Sequence, residues 1–251
     1  MIKVTVIGSG NVAQHLITAV SESEQLHLCQ IYSRSTVDFA VPSKTAIIHH
    51  IADIEHADLY IISVSDSAVN EISNQLEFSG NLVVHTSGTL PLTELNSKNR
   101  RGVFYPLQTF SKKKAVDFKS VPVCLESESE SDYAILQTVA QSISNHIYKI
   151  NSQQRKALHV AAVFANNFTN HLYVQAAEIC QENNVPFDIL KPLIAETASK
   201  VQILSPSEAQ TGPAIRNDEN TIKAHLDFLT NKNQHKIYNI LTQSIRDGKK
   251  L

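Results

Sequence analysis

The sequence predicts an α/β protein, a doubly wound parallel sheet in its N-terminal part followed by an all-helical C-terminal part. Three observations carry that prediction. Strand-length apolar runs alternate with helix-length segments up to residue 150. The first run, Ile2 to Ile7, passes straight into Gly8-Ser9-Gly10-Asn11-Val12-Ala13, a G-x-G-x-x-A turn between a strand and a helix. From Asn151 onward the apolar residues recur at three and four, and glycine nearly disappears. The expected division is residues 1–150 as an α/β domain and residues 151–251 as a helical domain.

The glycine turn has a chemical reading. Gly8 permits the tight turn, Gly10 lets the backbone approach a pyrophosphate with no Cβ in the way, and Ala13 lets the helix pack close to the strand. The N–H groups at the start of the helix face the same place. Gly8, Ser9, Gly10, Asn11 and Val12 are therefore candidate contacts to a dinucleotide.

The second strand, Leu26 to Tyr32, ends in Ser33-Arg34-Ser35. An NAD site usually holds an Asp or Glu at this tip for the adenosine ribose, and none is present. Ser33 and Ser35 can donate to a 2′-phosphate and Arg34 can pair with it and stack on adenine, which favours NADP over NAD. A solvated turn that happens to hold an Arg is the competing reading. A short strand near Ala46 to His49 and a small helix around Ala52 to His56 follow. The run Leu59 to Val64 fits a central parallel strand, and Val64 and Ser65 at its tip would border the cofactor. Asp66 or Ser67 can cap the next helix. Leu82 to His85 is the next strand and closes in Thr86-Ser87-Gly88, where Ser87 is a candidate substrate contact and a turn needing Gly88 is the alternative. Gly102 to Phe110 mixes aromatics, polar groups and Pro106, and reads as a short strand and an ordered loop. Val121 to Leu125 is a further strand, and the acidic stretch Glu126 to Asp132 reads as a solvated helix start. His146 to Ile150 completes the sheet.

Composition narrows the partners. A formal charge of -2 over 251 residues leaves no basic footprint for nucleic acid and no polybasic anchor for a membrane. No apolar run reaches the ~18 residues of a membrane span, and the N-terminus lacks the form of a signal peptide. Cys29, Cys124 and Cys180 lie far apart in apolar contexts with no metal-ligand spacing, and read as buried thiols in a reducing compartment. The expectation is a cytoplasmic protein with a small-molecule substrate, no metal, no nucleic acid and no membrane.

In the helical part, a first helix is expected from about Ser152 to Asn183. His159, Asn166 and Asn170 lie seven and eleven residues apart on it, within about 20° of one line at ~100° per residue, with Asn167 about 80° around. The run Ala157 to Phe168 is apolar enough that this polar line is expected to be buried and satisfied by something. One reading turns it toward a nicotinamide crevice, with His159 moving a proton and an Asn anchoring an amide. The other is a core network bonded to backbone and water. Pro186 reopens a helix through about Leu204, and Thr221 to about Arg246 supply one or two more. The loop Thr211 to Asp218 carries Arg216, a candidate for a substrate anion, while Asp218 is expected to cap the next helix.

Taken together, the G-x-G-x-x-A turn, His85-Thr86-Ser87-Gly88, Tyr105-Pro106-Leu107-Gln108-Thr109-Phe110, His159, Asn166-Asn167 and Gln210 to Asp218 resemble a known family. It is the family of provisionally assigned NADP oxidoreductases that join a Rossmann-like domain to a helical domain of unknown function. More distantly the layout is similar to the 6-phosphogluconate dehydrogenase-like superfamily, with its pyrroline-5-carboxylate reductases and 3-hydroxyisobutyrate-type dehydrogenases. The resemblance implies NADP as cofactor, hydride transfer to or from a carbonyl or imine carbon in a cleft between domains, and a homodimer formed through the helical domain. The related 3-hydroxyacid dehydrogenases carry Lys-x-x-Asn-Asn on the corresponding helix; here Val163 stands at the lysine place before Asn166 and Asn167. Valine moves no proton, so His159, one turn earlier, is the expected acid/base. Asn167 and Ser87 would orient the substrate, with Asn166 and Asn170 as further contacts. An NADP-binding sensor or interaction protein without turnover is the alternative that the missing lysine motivates.

Overall fold

The computed structural model describes residues 1–43 and 45–248. It contains two compact units, Met1–Asn166 and the residues from Asn167 on. The first unit thus runs past residue 150 and takes in the start of the long helical segment.

Eight strands build the sheet of the first unit: β1 (Ile2–Ile7), β2 (Leu26–Tyr32), β3 (Ala46–Ile48), β4 (Leu59–Ile62), β5 (Leu82–His85), β6 (Arg100–Pro106), β7 (Pro122–Ser127) and β8 (His146–Lys149). Their order is β3-β2-β1-β4-β5-β6-β7-β8. Every neighbouring pair is parallel except β6 and β7. The first six strands follow the order of a dinucleotide-binding sheet, in which ligands sit at the carboxyl ends of the strands where the order reverses. That point lies between β1 and β4.

Alternation along the central strands explains the two covered faces. Val4 and Val6, Leu59 and Ile61, and Leu82 and Val84 pack with Leu16, Val20, Leu136 and Val139 of α1 (Asn11–Ser21) and α3 (Glu130–Ile143). Ile7, Tyr60, Ile62 and Val83 point the other way, onto Val69, Ile72 and Leu76 in and just after α2 (Asp66–Gln75). Both registers are apolar because both faces are buried. Each such aliphatic side chain contributes about 1.5–3 kcal/mol on burial.

Two of three local readings are corrected. The residues expected as a small helix from Ala52 form a single turn at Ile51–Asp53. The mixed segment at Gly102 to Phe110 is a strand end and a loop, as expected: Phe104 and Tyr105 serve opposite faces of β6, Pro106 stands at its end, and Leu107 to Phe110 follow outside it. The acidic stretch does start a helix, with Glu130 and Asp132 in the first turn of α3, but it is solvated only from Glu128 to Ser131. Glu126 lies within β7, and Asp132 is buried and paired with Arg100. Ser129, which accepts from the Asp132 amide, caps the helix.

The helix expected from Ser152 to Asn183 is present as α4 (Ser152–Ala162), a π-helical stretch at Val163–Phe168 and α5 (Thr169–Glu182). The capping box of Asn151 and Gln154 fixes where α4 starts. The second unit continues with α6 (Lys191–Lys200), α7 (Pro206–Ala209), α8 (Pro213–Arg216), α9 (Glu219–Phe228) and α10 (Lys232–Gly248). Pro186 is followed by a short turn at Phe187–Leu190 before α6, which stops at Lys200 short of the expected end. Within this unit His225 Nδ1 lies 2.8 Å from the Tyr238 hydroxyl, and Gln234 donates to Glu178. No helix among the described residues is long and apolar enough to cross a membrane.

Candidate functional site

Five loops leave the carboxyl edge of the sheet and enclose a cleft of about 590 Å³. Every residue lining it belongs to the first unit. The sequence-predicted Gly8, Ser9, Gly10, Asn11, Val12, Ser33, Arg34, Ser35, Val64, Ser65, Ser87 and His159 all border it. Topology brings them together, since the tips of β1, β2, β4, β5 and β6 share one edge.

The two glycines of the first turn do different work. Gly8 has φ of +130°, and a Cβ on it would lie 2.1 Å from the Ser63 carbonyl oxygen. Only glycine fits there, for the sake of the fold. Gly10 has ordinary extended backbone, φ -73°, and a Cβ on it would meet nothing within 4 Å. The fold does not require that glycine. It heads α1 with no side-chain cap, so the first N–H groups of the helix open onto bare backbone at the cleft. These residues fit a pyrophosphate.

At the tip of β2 the Ser33 hydroxyl donates to the Ser35 carbonyl at 2.8 Å and is bonded to the Ser9 hydroxyl at 2.8 Å. Its proton is committed to this internal bridge, which corrects the expectation that it donates to a ligand phosphate. Arg34 and Ser35 are the exposed side chains of the tip. Among the described residues, Arg34 and Asp66 are the only Arg, Lys, Asp or Glu along the cleft lining.

Asp66 is not a helix cap. It is the first helical residue of α2, and its carboxylate accepts from the Thr89 hydroxyl at 2.5 Å. Thr89 in turn lies 3.3 Å from the Ser87 hydroxyl, whose oxygen also accepts from the amides of Thr89 and Leu90. Ser87 thus holds the turn after β5, its hydroxyl engaged within that turn rather than free for the expected contact with substrate. Beneath it, buried His85 accepts from the Ser87 amide at Nδ1 and faces the Pro91 carbonyl with Nε2. Burial, helped by the charge of Arg155, pushes the His85 imidazole down to about 4.

At the far end of the cleft His159 on α4 meets Tyr105 at the end of β6, Nδ1 to hydroxyl 3.1 Å. Burial pushes the phenol up to about 12. Gly88 owes its place to this pair rather than to a special turn, because a Cβ there would lie 2.6 Å from His159 Nδ1 and 2.9 Å from the Tyr105 ring. One turn before His159, Arg155 is buried and paired with Glu126, and it also donates to the Leu90 carbonyl and to Ser152. Glu126 accepts from the Ser152 amide as well. This ionic knot ties α4 to β7 and to the turn after β5. Sequence reading missed Tyr105 and Arg155. The signals were a phenol at the end of an apolar run and an arginine four residues before the candidate histidine.

The polar line of the long helix is corrected. Asn166, Asn167 and Asn170 are exposed, and no residue of the Val163–Phe168 stretch is buried. The π-helical stretch also shifts the phase on which their alignment with His159 rests. Asn166 closes the first unit and lies outside the lining of the cleft, while Asn167, Asn170 and Arg216 belong to the second unit. Arg216 is exposed at the end of α8, a helical turn where a loop was expected. Asp218 caps α9 by accepting from the amide and hydroxyl of Thr221, as expected. Among the cysteines Cys124 is buried, whereas Cys29 and Cys180 are half-buried; all three are free thiols. No group of three or more potential metal ligands occurs among the described residues.

The fold and the cleft define the class, a Rossmann-like sheet with helices C-terminal to it. Comparisons with known proteins agree. A domain of unknown function, DUF2520, matches residues 121–245. A Bacteroides fragilis protein provisionally named an NADP oxidoreductase is 40% identical over 98% of both chains, with a TM-score of 0.87. The chain belongs to the family of that protein. A Thermotoga maritima protein shares the fold at 20% identity over 97% of both chains, TM-score 0.74. A Plasmodium falciparum pyrroline carboxylate reductase, solved with NADP bound, shares it at 11% identity over 98% of both chains, TM-score 0.64. No curated protein is significantly similar to the chain.

Proposed function

We propose that the chain is a cytoplasmic NADP-dependent oxidoreductase that transfers hydride between the nicotinamide and a small carbonyl or imine substrate. The observation that carries the reading is Gly10: the fold leaves open space there, at a helix start facing the cleft, where a pyrophosphate needs it. The bound nicotinamide would supply or take the hydride. Gly8 to Val12 would hold the pyrophosphate, Val64 and Ser65 would border the cofactor, and Arg34 with Ser35 would take the 2′-phosphate. His159 would exchange the proton. The sequence assigns Asn166, the last residue of the first unit, and Asn167 and Asn170 of the second to substrate contact, and Arg216 to an anionic group. The cytoplasmic placement rests on the three free thiols. Val163, in place of the lysine of related dehydrogenases, favours as a second reading an NADP sensor that does not turn its ligand over.

The experiment is a fluorescence titration of the unaltered chain and of Arg34→Ala with NADPH and NADH. Arg34→Ala should weaken NADPH by about 10- to 100-fold, the worth of one charge-assisted contact, and leave NADH nearly unchanged. Equal losses for both would remove the phosphate assignment.

A further inference from the structure

We propose that Tyr105 is the group that hands the proton to a carbonyl oxygen reduced in this cleft, with His159 behind it as the source of the next proton. The proposal deepens the oxidoreductase reading and rests on it.

Tyr105 stands at the carboxyl end of β6, and both it and His159 line the cleft. Their hydrogen bond is 3.1 Å, with the rings edge to face at 65°. Bare Gly88 lets both rings approach the turn after β5, and any larger residue would push them away. The two partners differ in exposure. Tyr105 is 8% exposed, while His159 is half-buried. The phenol is thus the inner group and the imidazole the one in touch with water.

A phenol has one proton. When His159 Nδ1 carries a proton and donates it to the phenol oxygen, the hydroxyl hydrogen of Tyr105 is left for another acceptor. The step then balances. A bound reduced nicotinamide would be the two-electron donor and would supply the hydride for the new C–H bond at the carbonyl carbon. The π pair moves onto the carbonyl oxygen, which takes the Tyr105 proton. The phenolate oxygen recovers a proton from His159 Nδ1, His159 takes at Nε2 the one solvent proton that the reduction consumes overall, and exchange with water returns the ring to its Nδ1 tautomer.

The chemistry selects the substrate class. A buried phenol titrating at about 12 stays protonated at neutral pH. It is far too weak an acid to charge a resting imine nitrogen, which must carry its proton before hydride arrives. It is a stronger acid than an alcohol, whose conjugate base is about as basic as hydroxide. The proton therefore leaves Tyr105 as the alkoxide forms.

The test uses the full chain with NADP bound. Long-range proton–nitrogen NMR of the histidine rings reads the His159 tautomer, and NADPH oxidation is followed with trifluoroacetophenone, phenylglyoxal and a dihydroisoquinoline as probes. We expect the His159 proton on Nδ1, moving to Nε2 in Tyr105→Phe, and reduction of the activated ketones but not of the cyclic imine. Tyr105→Phe should lose about 100-fold or more of that rate, within the ~10²–10⁴ of a general acid, at unchanged NADPH affinity. A proton on Nε2 in the unaltered chain, a Tyr105→Phe variant that keeps its rate, or reduction of the imine alone or of no probe would each overturn the proposal. The tautomer measurement on the unaltered chain needs no variant to fold. A chain that binds no NADPH would refute the oxidoreductase reading itself, a failure told apart by the titration.

Discussion

Gly8 and Gly10 stand two residues apart and answer to different masters. At Gly8 the positive φ and the Ser63 carbonyl leave no room for a side chain, so Gly8→Ala should lose about 1–3 kcal/mol from backbone strain alone, seen as a lower Tm. Gly10→Asp should keep its Tm near that of the unaltered chain and lose nucleotide binding through bulk and charge; normal binding by that variant would take away the fingerprint. His85 offers a pH test. In the fold it is neutral, with both ring nitrogens placed for hydrogen bonds to backbone, and titrates at about 4 rather than the usual 6.5. Between those values the unfolded chain binds more protons than the folded one, so stability rises with pH across the window and is lost on acidification. The full effect is about 3 kcal/mol. Denaturant melts at pH 7 and pH 4 should show it, and His85→Gln should flatten the slope; an equal slope in the variant would contradict the assignment.

Elements with local causes were legible, and those with distant causes were not. The runs Leu26–Tyr32 and Leu82–His85 could be bounded to the residue because apolar strand and polar tip change abruptly in sequence. The cleft residues around the glycine turn followed from topology alone. The engagement of Glu126 was missed because the partner that draws it into the structure, Arg155, lies 29 residues away. The π-helical stretch was invisible because its residues keep an ordinary helical pattern. The Arg155–Glu126 pair is an element-level device, anchoring α4 and thereby placing His159 against Tyr105. Arg155→Ala would take the counter-ion from the half-buried Glu126 and leave it only the amide and hydroxyl of Ser152, and should cost about 2–3 kcal/mol. A calorimetric Tm hardly changed in that variant would show that α4 is held by other contacts.

The two units differ most in what they bury. The first carries three apolar clusters, whereas the described residues of the second bury only Gln175, Ala214, Ile222 and Gln234 fully. Ile189, Leu193, Ile203, Phe228 and Ile240 are each at least 60% exposed there. A helical unit of this size without a core of its own needs a cover, and we propose a second copy of the chain, as the family resemblance implies. Sedimentation should find a dimer that Leu193→Asp or Ile240→Asp dissociates; a monomer at all concentrations would remove the proposal. The claim on which the rest depends is that the cleft at the carboxyl edge holds a phosphorylated nicotinamide dinucleotide. The most direct measurement is a fluorescence and thermal-shift titration of the unaltered chain with NADPH, NADH, NADP and NAD. Saturable binding near the micromolar range, about -8 kcal/mol, with the phosphorylated forms preferred, is the predicted result. Absence of binding by all four would contradict the account.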